Sequence, residues 1–129
     1  MTQEEIQERN KQIIQMLGFK RGFWIHQEKP LTDDKKQWWD IDGKTFLGTR
    51  VRYDKDLEFH SNWNWLMEAV KFIEKLDGSY SISNKSCAIS VDEPYWFGAE
   101  IIVKTNESIH EAVFIAVSDF AKLYNEGEL

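Results

Sequence analysis

Cysteine occurs once in the chain, at Cys87. A single thiol cannot form an intrachain disulfide, so the sequence predicts a reducing, intracellular setting, the cytoplasm. Proline occurs only at Pro30 and Pro94, and glycine seven times. That scarcity excludes a Pro/Gly-rich low-complexity chain. Long hydrophobic runs are missing, and nothing approaches the length of a membrane span. The opening residues, Met1-Thr2-Gln3-Glu4-Glu5, are polar and acidic rather than an apolar leader. Basic charge is short as well: 16 Lys and Arg stand against 22 Asp and Glu, a net charge of −6. The longest basic clusters are the pairs Lys20-Arg21 and Lys35-Lys36. Direct nucleic-acid binding is therefore not expected. An acidic face that meets a basic protein surface fits the balance better.

Aromatic residues are in surplus: 6 Trp, 8 Phe and 4 Tyr among 129 residues. That length predicts a single domain over 1–129, large enough to bury most of its apolar surface. The most informative stretch is Phe59-His60-Ser61-Asn62-Trp63-Asn64-Trp65-Leu66-Met67. Ser61 and Asn62 are good helix caps, because a short polar side chain accepts from the free amides of a first turn. Trp63, Leu66, Met67, Val70, Ile73 and Leu76 then share one helical face, which predicts Trp63 in the core and leaves Trp65 off the stripe. Asp77-Gly78 closes that helix.

The remaining chain falls into three parts. Thr2-Gln3-Glu4-Glu5 fits a capping box and predicts a helix from about Thr2 to Leu17, ended by Gly18. Residues 19–59 form an irregular aromatic segment. It includes a short strand at Gly22-Phe23-Trp24-Ile25-His26, an apolar patch at Trp38-Trp39-Asp40-Ile41, one or two strands between Lys44 and Tyr53, and strand-like Leu57-Glu58-Phe59. Beyond Gly78, Ser79–Ser83 and Ser86–Val91 alternate around an Asn84-Lys85 turn, with Cys87, Ile89 and Val91 on one face. Ala99, Ile101 and Val103 are in phase as a third strand. Ser108-Ile109-His110-Glu111 is a second capping box, and Ile109, Ala112, Val113, Ala116, Val117, Phe120, Leu123 and Tyr124 form the most regular stripe in the chain. The expected class is α+β: a small antiparallel sheet of three to five strands packed with two helices over 60–126, plus the N-terminal helix.

Constellations that would carry chemistry are weak. His26, His60, His110 and Cys87 do not fall at zinc spacings, so no metal is expected. Asp40-Ile41-Asp42-Gly43 resembles the start of a calcium loop, but Val51 stands where the closing Glu belongs. No nucleophile elbow or glycine-rich phosphate loop is present. The chain reads as no enzyme, with no cofactor.

The run from His60 to Met67 resembles a His-Ser-x-Trp-Asp-Trp-Leu-Met signature in small proteins of phages and prophages of Bacteroidetes-type hosts, with Asn64 where Asp is common. The similarity runs from Phe59 to the closing Phe120-Ala121-Lys122-Leu123-Tyr124-Asn125, with a looser match around Asn10-Lys11-Gln12-Ile13-Ile14. The helix–sheet–helix order is also similar to the phage ABA sandwich domain. The resemblance implies a phage origin and no activity, so it carries no catalytic residue to this chain.

The first expectation is a non-enzymatic phage accessory protein that binds a host protein, concretely an anti-defence, anti-CRISPR-like inhibitor of a nuclease complex. Its contacts would come from Trp24, Asp33, Asp34, Trp38, Trp39, Asp40, Asp92, Glu93 and Trp96, with tryptophans as anchors and acids facing a basic channel. One alternative is a nucleotide-binding sponge, with Lys44, Arg50 and Arg52 beside aromatic rings. Another is a self-associating structural protein, a homodimer built on the N-terminal helix.

Overall fold

The computed structural model describes residues 1–22, 37–39, 46–48, 51–76, 78–83, 86–91, 99–104 and 108–127. The architecture is α+β, with three helices and two antiparallel sheets of two and three strands. In chain order come α1 (Gln3–Met16), β1 (Lys20–Gly22), β2 (Gln37–Trp39), a 3-10 turn (Asp54–Asp56), α2 (Trp63–Lys75), β3 (Gly78–Ser83), β4 (Ser86–Val91), β5 (Ala99–Lys104) and α3 (Ile109–Asn125).

The caps follow the sequence closely. Thr2 Oγ1 accepts from the Glu5 amide at 3.1 Å, and Ser108 Oγ accepts from the Glu111 amide at 3.0 Å. Asn62 Oδ1 takes the amides of Asn64 and Trp65 at 3.1 and 3.3 Å. At the end of α1, Gly18 sits at φ 99°. Its amide reaches Gln15 O and the Phe19 amide reaches Ile14 O. This paired closure needs the left-handed region, which glycine enters without a side-chain clash.

The three-stranded sheet has the order β3-β4-β5. Ser83 pairs with Ser86 across the predicted turn, and Cys87 pairs with Val103 on the other side. Cys87 and Ile89 are buried, while Ile82, Ile101 and Val103 are partly covered. That face packs on α3, and α2 lies beside β3. On its other side α3 carries α1. α3 therefore buries more than its predicted stripe: Phe114, Ser118 and Ala121 are inside as well. Their spacing of i, i+4, i+7 makes a second face, which α1 covers with Asn10, Ile13, Ile14 and Met16.

The phase of α2 corrects the sequence reading. The buried residues are Trp65, Leu66, Ala69, Val70 and Ile73. Trp63 is 39% exposed, against the expectation that it is core, while Trp65, off the stripe, packs under the preceding segment and is 3% exposed. Trp63 is the first helical residue, and helix side chains lean toward the N-terminus, so its ring projects past the end of the helix. Trp65 instead meets Phe46 at 4.8 Å and Phe59 at 5.3 Å, and Phe46 meets Phe19 at 6.4 Å.

The irregular segment departs from expectation for a related reason. Leu57 and Phe59 are buried and Glu58 is exposed, as an alternating strand would have it, but no strand forms. The backbone acceptors there are taken by other groups. Asn10 Nδ2 donates to Leu57 O, the amides of Ser61 and Asn62 donate to Glu58 O, and His110 Nε2 donates to Phe59 O. Between Lys44 and Tyr53, the described residues hold a single bridge at Phe46 and no strand. β1 and β2 pair antiparallel, with Arg21 opposite Trp38. Asp54 binds them together: it accepts from Arg21 Nη2 at 2.8 Å and from the Trp38 indole at 2.7 Å. Lys11 of α1 stands 3.8 Å from the same carboxylate.

The shifted face of α2 has a measurable consequence. Trp65→Ala is expected to lower unfolding stability by about 3–5 kcal/mol, and Trp63→Ala by less than about 1 kcal/mol. Urea unfolding followed by circular dichroism reads both, and equal losses would contradict the placement.

Candidate functional site

The exposed Trp63 ring has a packed neighbour. It rests edge-on against His110, with centroids 5.4 Å apart and planes at 66°. His110 is in turn fixed by its hydrogen bond to Phe59 O at 3.2 Å. A backbone carbonyl only accepts, so His110 Nε2 is the donor. Ser61 and Asn64, close to Trp63 in sequence, are exposed, and the first turn of α2 holds no acid. The result is a half-open aromatic surface where α2 and α3 both begin.

A second imidazole, His60, lies near His110. Asn10 Nδ2 donates to His60 Nδ1 at 2.9 Å and to Leu57 O at 3.4 Å. The Leu57 carbonyl orients the amide, so His60 Nδ1 accepts and the ring proton is assigned to Nε2. The ring also lies 6.2 Å from that of Phe114. Burial lowers the His60 pKa below its ordinary 6.5, the nearby His110 lowers it further, and Glu58 acts in the raising direction. A protonated His60 would also set one N–H against another at Asn10. Asn10 Oδ1 is buried without a hydrogen-bond partner among the described residues.

Chemistry at Cys87 is disfavoured by its surroundings. The thiol is buried under the sheet, and burial pushes its pKa up to about 11, so little thiolate is present near neutrality. Among the described residues, no three His, Cys, Asp or Glu side chains converge as a metal site needs. No helix among them is long and apolar enough to cross a membrane.

Of the expected contact residues, Trp24, Asp33, Asp34, Asp40, Asp92, Glu93 and Trp96 lie outside the described residues. For Trp39 in β2 only the backbone is described. Trp38 is buried, and its indole N–H is spent on Asp54, so it serves the core. Lys44 and Arg50 also lie outside the described residues, while Arg52 is exposed and gives its carbonyl to the Trp38 amide. The sequence reading missed the exposure of Trp63. Its position just after the cap was the available signal. No protein-family model matches the chain, and no curated protein or solved structure is similar to it.

The partly buried His60 imidazole makes stability depend on pH with a defined sign. Well above pH 6.5, the ordinary His60 value, both states are neutral there and the full stability is present. Below that value the unfolded chain takes up a proton that the fold resists, so stability falls with pH. The urea midpoint is expected to decline between about pH 7.5 and pH 5.5. His60→Gln keeps an acceptor for Asn10 and should lose part of that decline; an undiminished decline would assign it to other groups.

Proposed function

We propose that this is a non-enzymatic phage accessory protein that binds a host protein, with Trp63 as an anchor of the contact. The observation that carries the reading is the half-open indole held on His110. Trp is the side chain most often found at the energetic centre of a protein interface, and a ring that already has a packed contact loses less freedom on binding. The net charge of −6 favours a partner with a basic surface. The resemblance of His60 to Met67 to phage proteins supplies the setting, and a host defence nuclease complex is the concrete partner we propose. Trp24, Trp39, Trp96 and the acids Asp33, Asp34, Asp40, Asp92 and Glu93 belong to the same proposal as further contacts.

The test is capture of a tagged chain's partner from a host lysate, read by mass spectrometry and repeated with the purified partner. A nuclease or defence subunit held in stoichiometric amount, and held at least tenfold more weakly by Trp63→Ala, is the expected result. Trp63→Ala must keep its unfolding midpoint for the comparison to count. Wild-type chain that retains no such partner, or a variant that binds as well as wild type, would overturn the reading. Thermal stabilisation by nucleotides in a chain that captures nothing would favour the sponge instead.

A further inference from the structure

The sheet ends at β5. Among the described residues no strand pairs with its outer edge. An open edge presents a row of amide and carbonyl groups to any strand that fits. Alternation along β5 sends Ile101 and Val103 toward α3, where both pack partly against the core. Ile102 therefore points to the outer face, and it is 59% exposed, the most exposed of the large apolar residues described. Beside this edge a groove of about 460 Å3 runs between β5 and the C-terminal half of α3, lined by Ile101, Ile102, Asp119, Lys122, Leu123 and Glu126.

The order of residues in β5 says what would fill it. Consider a second copy paired antiparallel through a two-fold axis normal to the sheet. That operation keeps both helical faces on the same side, so residues of the same face must stand opposite one another. A register centred on Ile102 places Ile102 against Ile102, Ile101 against Val103, and Glu100 against Lys104 at both ends. Every pair is apolar with apolar or acid with base. Shifted registers lose this. Centring on Ile101 sets Glu100 against Ile102, centring on Glu100 sets acid against acid, and centring on Val103 sets Lys104 against Ile102. A centre on Ile102 is allowed whichever set of β5 amides faces outward, because antiparallel ladders alternate between bonded and non-bonded pairs.

We propose that the chain forms a homodimer by pairing β5 with β5 of a second copy, centred on Ile102. The product is one six-stranded sheet in the order β3-β4-β5-β5-β4-β3, with both α3 helices on the same face. This assembly differs from a dimer built on α1, whose apolar residues Ile13, Ile14 and Met16 are already buried within its own chain. It is also independent of the Trp63 contact. Trp63 lies by His110 at the start of α3, whereas the groove lies along residues 119–126.

Light scattering on the full-length chain during size exclusion gives the first reading, with a mass of about twice 15.3 kDa expected. Lys104 is exposed, so Lys104→Glu should fold, and it sets acid against acid twice across the seam. Dimerisation should weaken by about tenfold or more, measured by sedimentation equilibrium. The double variant Glu100→Lys, Lys104→Glu exchanges the signs and should restore the dimer. A monomeric wild type overturns the proposal. So does a dimer that Lys104→Glu leaves unchanged, which would place the interface elsewhere, or a double variant that remains as weak as Lys104→Glu.

Discussion

Burial of α3 on two sides is the constraint that the rest of the fold answers to. A helix that carries Val113, Val117 and Phe120 on one side and Phe114 and Ala121 on another cannot lie on a sheet alone, because one apolar face would stay in water. α1 covers the second face. Ala112, Ala116 and Ala121 keep the helix slim where neighbours approach. Polar contacts then fix the crossing. Arg9 Nη1 reaches Ser118 Oγ at 2.9 Å and Asp119 Oδ1 at 2.7 Å, and Asn125 Nδ2 holds Gln12 O at 2.9 Å. Magnitudes decide which effect holds the pair together. Burying a side chain such as Phe114 stabilises by roughly 1.5–3 kcal/mol. A half-exposed ion pair such as Arg9–Asp119 contributes about 0–1 kcal/mol. Burial drives the packing, and Arg9 selects the register.

The irregular segment shows a second constraint, the need to satisfy buried backbone. Leu57 and Phe59 are inside without a ladder partner, so their carbonyls need donors from elsewhere. Asn10 and His110 supply them from α1 and α3. Asp54 does the complementary work outside the aromatic core by gathering Arg21, Trp38 and Lys11 from three elements. These side chains hold the described residues around Asp54 and Leu57–Phe59 in place without a strand ladder. They also explain why Asn10, a polar residue, is buried at the centre of the molecule.

The parts legible from sequence are those governed by local rules. Thr2, Asn62 and Ser108 cap as their side chains require, and the alternation from Ser79 to Val91 and from Ala99 to Lys104 gives strands in the expected phase. The misread parts depend on what lies across the chain. The spacing of α2 put Trp63 on the apolar stripe, but the helix is turned to bury Trp65 against Phe46 and Phe59, which lie outside the helix. One stripe was legible on α3, while the face through Phe114 and Ser118 has meaning only once α1 lies over it. The acids and most of the tryptophans expected to contact a partner lie outside the described residues. Ile102 was legible as the residue out of phase with Ile101 and Val103, a signal that alternation alone provides.

Exposure of Trp63 follows from the same geometry that buries Trp65. The cap at Asn62 fixes where α2 begins, and the aromatic cluster fixes its rotation about its own axis, which leaves the first residue of the helix beyond the core. His110 then covers one edge of the ring, and Phe59 O holds that imidazole in place. The indole thus has a packed contact before any partner arrives, which lowers the ordering cost that a side chain without one would pay on binding. α3 sets the distance between this face and the outer edge of β5, which no described strand covers. From His110 to Lys122 the helix rises about 20 Å at its regular pitch. The element whose burial organises the core therefore also keeps the two outward-facing surfaces apart, so that contact at one leaves the other open.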